Sequence, residues 1–240
     1  MSIEKYRHLF TKEYMMGPNT VRLLDEMLEK YPIDRYLRVM DLGCGTGLSS
    51  IFLAKEKELN VFAVDLWCTA TDNHRRFTEW GVENVVVPIH ANALDLPFAD
   101  EYFDAVISVD SYHYFACDSD YFGQKLLPLL KRGGAALIVV PGLKEEFGET
   151  VPPEIYEWAG EEYRLFHSCD WWKNTIGSHP DIASAEFLEL ECADAAWQEW
   201  FDSEHEYALN DKRFFEKGIG RYLNIVGMVI RKAQNSSAAT

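Results

Sequence analysis

The sequence predicts an α/β fold, a mostly parallel sheet with helices on both faces. Three observations carry that prediction. Short apolar runs at residues 60–65, 83–90, 103–109 and 135–141 recur between segments of helical character, the alternation that builds parallel sheets. Residues 38–47, RVMDLGCGTG, read as strand, tight turn and helix start. Acids stand where strands end, Asp41, Asp65 and Asp110, at the edge where open α/β sheets hold their ligands.

With 240 residues, 48% of them hydrophobic, the chain has room for one complete α/β domain. No apolar run reaches the ~18–20 residues of a membrane span, and the first ten residues lack an apolar signal core, so a cytoplasmic protein is expected. The five cysteines stand far apart, without CxxC or a histidine at ligand spacing. Reduced thiols and no metal are the expectation. The net charge of −16 is concentrated in residues 145–206, which hold 17 acids and two bases. Phosphates would be repelled there, which argues against a nucleic-acid partner.

In chain order, residues 1–17 carry aromatics and methionines without a clean period and read as a mobile or loosely helical lid; with the helix that follows, this makes an N-terminal unit of residues 1–35. Asn19 or Thr20 can cap that helix, in which Val21, Leu24, Met27 and Leu28 share a face before Tyr31 and Pro32. The core unit, residues 36–142, opens with the glycine turn. Glycine accepts φ > 0 and lets a ligand approach bare backbone, while the next helix offers unpaired N–H groups. A nicotinamide fingerprint would need a third glycine three residues after the second, and Leu48 stands there. The spacing is GxGxG at Gly43, Gly45 and Gly47, after a carboxylate that favours a cationic ligand end.

Asp65 closes the second strand, where a carboxylate can accept both hydroxyls of a ribose, and Leu66 and Trp67 can cover a base. A loop at 91–98 follows the third strand. After the fourth strand, residues 110–115 place Asp110, Tyr112, His113 and Tyr114 at the ligand edge. A helix over 121–130 and the turn Lys131-Arg132-Gly133-Gly134 lead to the fifth strand. Residues 143–185 break the pattern and read as a substrate-covering insertion. Residues 186–233 complete the same domain, with a strand at 186–192, a helix capped by Asp194 that carries Trp197 and Trp200, and a strand at 222–231. Residues 234–240 read as a disordered tail.

Strand by strand, residues 36–141 resemble the cofactor-binding half of the class I, Rossmann-like methyltransferases that use S-adenosylmethionine (SAM). The likeness is to bacterial small-molecule enzymes of the ubiquinone/menaquinone, phosphoethanolamine and cyclopropane-fatty-acid-synthase-like group. It implies a seven-stranded, mostly parallel sheet with an antiparallel last strand, and S-adenosylhomocysteine as product. It further implies that Asp41 and the backbone of Gly43, Cys44, Gly45 and Gly47 hold the methionine end of SAM. Asp65 takes the ribose, Asn92 and Ala93 the adenine, and Asp110 stands near the sulfonium. Asn92 replaces the acid usual in that loop, and its amide oxygen can accept the same hydrogen bond.

SAM supplies its own leaving group, so the protein's share is alignment and, for a protonated nucleophile, a base. His113 is the expected base, with Tyr14 beside it in an arrangement that resembles the Tyr–His pair of phosphoethanolamine methyltransferases. Residues 145–206 also hold five of the seven tryptophans. Carboxylates among aromatics suit a cationic amine, so N-methylation of a small amine is the leading expectation. Tyr112, Tyr114, Tyr163, His167, Trp171 and Trp172 are the expected substrate contacts. O- or S-methylation of a small metabolite, or SAM binding without transfer, are the alternatives. Monomer and homodimer both stay open.

Overall fold

The computed structural model describes residues 3–118, 120–176 and 179–234. Its strands are β1 (Arg38–Leu42), β2 (Asn60–Asp65), β3 (Val86–His90), β4 (Phe103–Val109), β5 (Leu130–Leu143), β6 (Ile182–Glu189) and β7 (Leu223–Lys232). Its α-helices are α1 (Thr20–Lys30), α2 (Leu48–Lys57), α3 (Ala70–Glu79), α4 (Pro153–Ala159), α5 (Cys169–Ile176), α6 (Ala193–Asp202) and α7 (Glu206–Glu216). The strands form one sheet in the order β3-β2-β1-β4-β5-β7-β6. β1 pairs in parallel with both β2 and β4, and β7 runs antiparallel to both β5 and β6. This is the Rossmann-like sheet that the sequence predicts.

Central strands are apolar on both faces because both are covered. Val39, Val61 and Ala105 face a core closed by α1, α2, α3 and α6, while Met40, Val64 and Val106 face a second core closed by residues 121–130 and α5. Strand order reverses between β1 and β4, which opens a crevice at their C-terminal ends. Ser108 and Ser111 stitch that crevice, each hydroxyl donating to the carbonyl of Leu42 at 2.8 Å.

Several elements differ from the sequence reading. The N-terminal segment takes the helical of its two expected forms and is packed: a short helix, Ile3–Leu9, buries Ile3, Tyr6 and Leu9, and the Tyr6 hydroxyl donates to Glu56 at 2.7 Å. Asn19 is the cap of α1, accepting from the N–H of Val21 at 3.0 Å. Between β4 and β5 stands a single π-helical turn, Phe122–Leu126, in place of a helix reaching residue 130. β6 begins at Ile182, four residues before the expected strand, and α6 starts at Ala193 with Asp194 inside its first turn and no side-chain cap. No helix among the described residues is long and apolar enough to cross a membrane. The expected disordered tail lies, beyond Gln234, outside the described residues.

Candidate active site

The crevice deepens into a cavity of about 430 Å³ walled by the glycine loop, the end of β2, the loop after β3, the end of β4 and residues 14–18. Each wall has a local cause. Gly43 takes φ 74°, and a Cβ there would overlap the Ser111 side chain, so only glycine lets β1 turn against β4. Gly47 starts α2 without a side-chain cap, which leaves first-turn N–H groups beside Leu48 and Ser49, both on the cavity wall. Asn73 of α3, fully buried, donates to the carbonyl of Gly45 at 2.9 Å and braces the loop from behind.

Asp65 lines the cavity with its carboxylate already engaged. Oδ2 accepts from Gly45 N–H at 2.8 Å, and Oδ1 accepts from Trp67 and Cys68 N–H at 2.7 Å each. A carboxylate has lone-pair sites beyond these three bonds, so it fixes the loop and can still accept from a ligand. Asn92 and Ala93 also line the cavity. The Asn92 amide oxygen accepts from Leu94 N–H at 2.9 Å, and the Ala93 carbonyl accepts from the Tyr121 hydroxyl at 2.9 Å. Trp67 and Tyr114 meet edge-on at 5.5 Å and, with Leu66, form an exposed apolar mouth.

Asp110 is the most perturbed acid on the wall. Its backbone sits at φ 60°, a conformation that costs an ordinary residue energy. No donor among the described residues reaches its carboxylate. Burial, and then the charge of Asp211, push its pKa well above the usual carboxylate range. Its Oδ2 occupies the space that a Cβ on Gly17 would fill, so a glycine is needed there for residues 14–18 to close over the carboxylate. Thr46 ties that segment down, its hydroxyl donating to the carbonyl of Tyr14 at 2.5 Å.

Other expected site residues stand away from the cavity. Asp41 is 1% exposed and takes the Ser49 and Ser50 hydroxyls at 2.6 Å each. Burial raises its pKa to about 6 against those two bonds, with a further push from Asp65. Its direct work is to tie β1 to α2, and it reaches the cavity only through Ser49. Gly47 likewise caps α2 outside the wall. His113 does not pair with Tyr14: it is 1% exposed, packed on Tyr114 and Phe166, and its Nδ1 has no hydrogen-bond partner among the described residues. Burial depresses its pKa to about 3. Tyr14 alone of that pair lines the cavity.

Tyr112 and Trp172 are core, buried and 5.5 Å apart between ring centroids. Trp171 stacks on His167 at 3.5 Å, and His167 faces Glu146. Tyr163 packs beside Tyr156 in the outer cluster. Of the six expected substrate contacts, Tyr114 alone lines the cavity. Ser111 and Phe115, in the strand-end stretch 110–115, also line the cavity. Sequence reasoning missed Thr46 and Gly17; Gly17, next to a proline, carried a local signal, whereas Thr46 is placed by its contact with a distant segment.

Comparison with known proteins places this geometry. Residues 39–134 match a family described as a methyltransferase domain. An O-methyltransferase, rstn1 of Aspergillus nomiae, is 32% identical over 96 residues, covering 38% of this chain and 41% of that protein. The 2-methyl-6-phytyl-1,4-hydroquinone methyltransferase of Synechocystis sp. is 31% identical over 149 residues, covering 62% of this chain and 42% of that protein. The chain thus spans less than half the length of either relative. Haemonchus contortus phosphoethanolamine N-methyltransferase 2, solved with SAM, superposes with a TM-score of 0.71 at 18% identity, covering 92% of this chain and 54% of that one. A glycine loop with open helix N–H groups for a carboxylate, a strand-end acid for a ribose and an unpartnered carboxylate for a cation fit SAM group by group. Residues 39–134 thus match a methyltransferase-domain family, on a fold shared with a methyltransferase solved with SAM.

Proposed function

We propose that this chain moves the methyl group of SAM onto a small-molecule acceptor, and that the acceptor atom is an amine nitrogen. The acids and aromatics of residues 145–206 support the amine nitrogen, and the cofactor half of the reading rests on Asp110, a half-buried carboxylate on the cavity wall that no donor among the described residues reaches. Such a group is costly unless a cation meets it. In this reading the first-turn N–H groups of α2 hold the carboxylate of the methionine end, Asp110 faces its cationic end, Asp65 takes the ribose, and Asn92 with Ala93 borders the adenine.

Bound SAM supplies an activated methyl group and a neutral sulfide leaving group. The chain's own work is to exclude water and align the acceptor. Residues 14–18 close one side, with Tyr14 facing inward. Tyr114 and Trp67 border the other, and the aromatic walls orient an acceptor nitrogen in line with the methyl group. His113 takes no part in this reading, since its imidazole is core. The relatives and neighbours include O- and N-methyltransferases by name, so acceptor chemistry is set by the wall and not by the fold. The five unpaired cysteines fit a reducing, cytoplasmic setting.

Incubation with SAM and pooled amines, phenols and thiols, read by mass spectrometry, tests the assignment. The expected product is a methylated amine formed with one equivalent of S-adenosylhomocysteine. Methyl transfer confined to the phenol or thiol pool would reassign the acceptor atom.

A further inference from the structure

Gly45 is held at both of its peptide groups. Its N–H donates to Asp65 at 2.8 Å, and its carbonyl accepts from the side-chain amide of Asn73 at 2.9 Å. Met16 closes another side, since a Cβ on Gly45, at φ 54°, would lie 2.8 Å from the Met16 sulfur. An amide in the place of Asn73 could sit either way round, with oxygen or nitrogen toward the carbonyl. Arg76, one turn further along α3, decides it. Its Nη1 donates to Asn73 Oδ1 at 2.8 Å, and a guanidinium has no acceptor to offer in return. The Asn73 nitrogen must then face Gly45. A charged donor on the oxygen also polarises the amide and strengthens the bond that its nitrogen gives. Arg75, beside it, takes the ion pair with Asp72 at 3.4 Å, which leaves Arg76 to the amide.

The consequence lies on the far side of the same peptide. A planar trans peptide points its C=O and N–H in opposite directions, so drawing the Gly45 carbonyl toward α3 turns the Thr46 N–H away from it. Thr46 is on the cavity wall, and no acceptor among the described residues takes that N–H. It is a free donor beside the first turn of α2, where an anion is favoured. Neither Asn73 nor Arg76 lines the cavity. We propose that Asn73, oriented by Arg76, is a positioning residue for the cofactor: through Gly45 it aims the Thr46 N–H at the carboxylate of the methionine end of SAM. This inference rests on the SAM reading above and goes further, naming two residues of α3 that act on the cofactor without meeting it.

The test compares two ligands by calorimetry: S-adenosylhomocysteine, and methylthioadenosine, which keeps the nucleoside and the sulfur but lacks the amino-acid end. Asn73→Leu, matched in size, should weaken S-adenosylhomocysteine about tenfold, the scale of one hydrogen bond to a charged group. The affinity for methylthioadenosine should stay unchanged. Arg76→Met should lose part of the same affinity, and Arg76→Lys, which keeps a cationic donor, should recover it. Equal weakening of both ligands by Asn73→Leu would overturn the proposal, because a residue that only holds the fold gives that result. Unchanged binding of S-adenosylhomocysteine would overturn it too, as would an Arg76→Lys variant as weak as Arg76→Met. Should Asn73→Leu fail to fold, the two Arg76 variants, at a half-buried position, decide by the same comparison of ligands. Failure of the SAM reading looks different: the wild type itself would then bind neither ligand.

Discussion

Asp110 and His113 stand three residues apart and titrate in opposite directions from one cause, burial, which disfavours whichever form carries charge. For Asp110 the consequence is linkage. A protonated carboxyl cannot pair with a cation, so at any pH where Asp110 holds its proton SAM binding releases it, and affinity should rise with pH through the raised pKa. Calorimetry in two buffers of different ionisation enthalpy should show that release, and Asp110→Asn should abolish it. For His113 the consequence is a negative: a buried imidazole with its pKa at about 3 takes no part in a pH–rate limb near neutrality. His113→Phe should keep the shape of the wild-type pH profile; loss of one limb would return the imidazole to the mechanism.

Among the elements, what the sequence showed and what it hid divide along physical lines. β1, β2, β4 and β5 were legible because strands covered on both faces are continuously apolar, and the glycine turn was legible because its need for φ > 0 is local. α3 was not, since its sequence ATDNHRRFTE buries only Asn73 and Phe77, too little to mark a face. The site follows the same rule. Asp65 announces itself at a strand end, whereas the roles of Thr46 and Gly17 come from segments far apart in the chain. Tyr112 and His113 misled because an aromatic near a strand end is as readily core as wall, and Trp172 because its helix, α5, turns it into the second core.

Two contacts between elements make predictions of their own. Thr46→Val removes the bond that holds residues 14–18 over the cavity, and should weaken SAM binding several-fold with little change in melting temperature. Glu26 of α1 accepts from the N–H groups of Glu191 and Cys192 at 3.0 and 2.8 Å and pairs with Lys30. Burial alone would raise its pKa, but these donors outweigh it and hold the carboxyl at about 2. Its contribution is therefore present above the ordinary carboxyl pKa and lost as pH falls toward 2. Glu26→Gln should cost about 1–3 kcal/mol at neutral pH, read as a lower melting temperature, and the difference should vanish in strong acid.

The whole molecule carries its negative charge unevenly, and residues 145–206 supply the insertion, α6 and the start of α7, all beyond the cofactor core. That field attracts cationic ligands over distances comparable with the Debye length and is screened by salt. Raising salt from low to molar levels should raise KM for an amine acceptor several-fold and leave a neutral inhibitor of the same shape unaffected. An equal response of both would remove electrostatic attraction from the account.

Titration calorimetry with SAM, repeated in competition with S-adenosylhomocysteine, tests the central claim most directly. Saturable one-to-one binding, displaced by S-adenosylhomocysteine and accompanied by proton release, is the predicted result. Absence of binding would contradict the assignment of the glycine loop, Asp65 and Asp110 to SAM, and with it the methyl transfer proposed here.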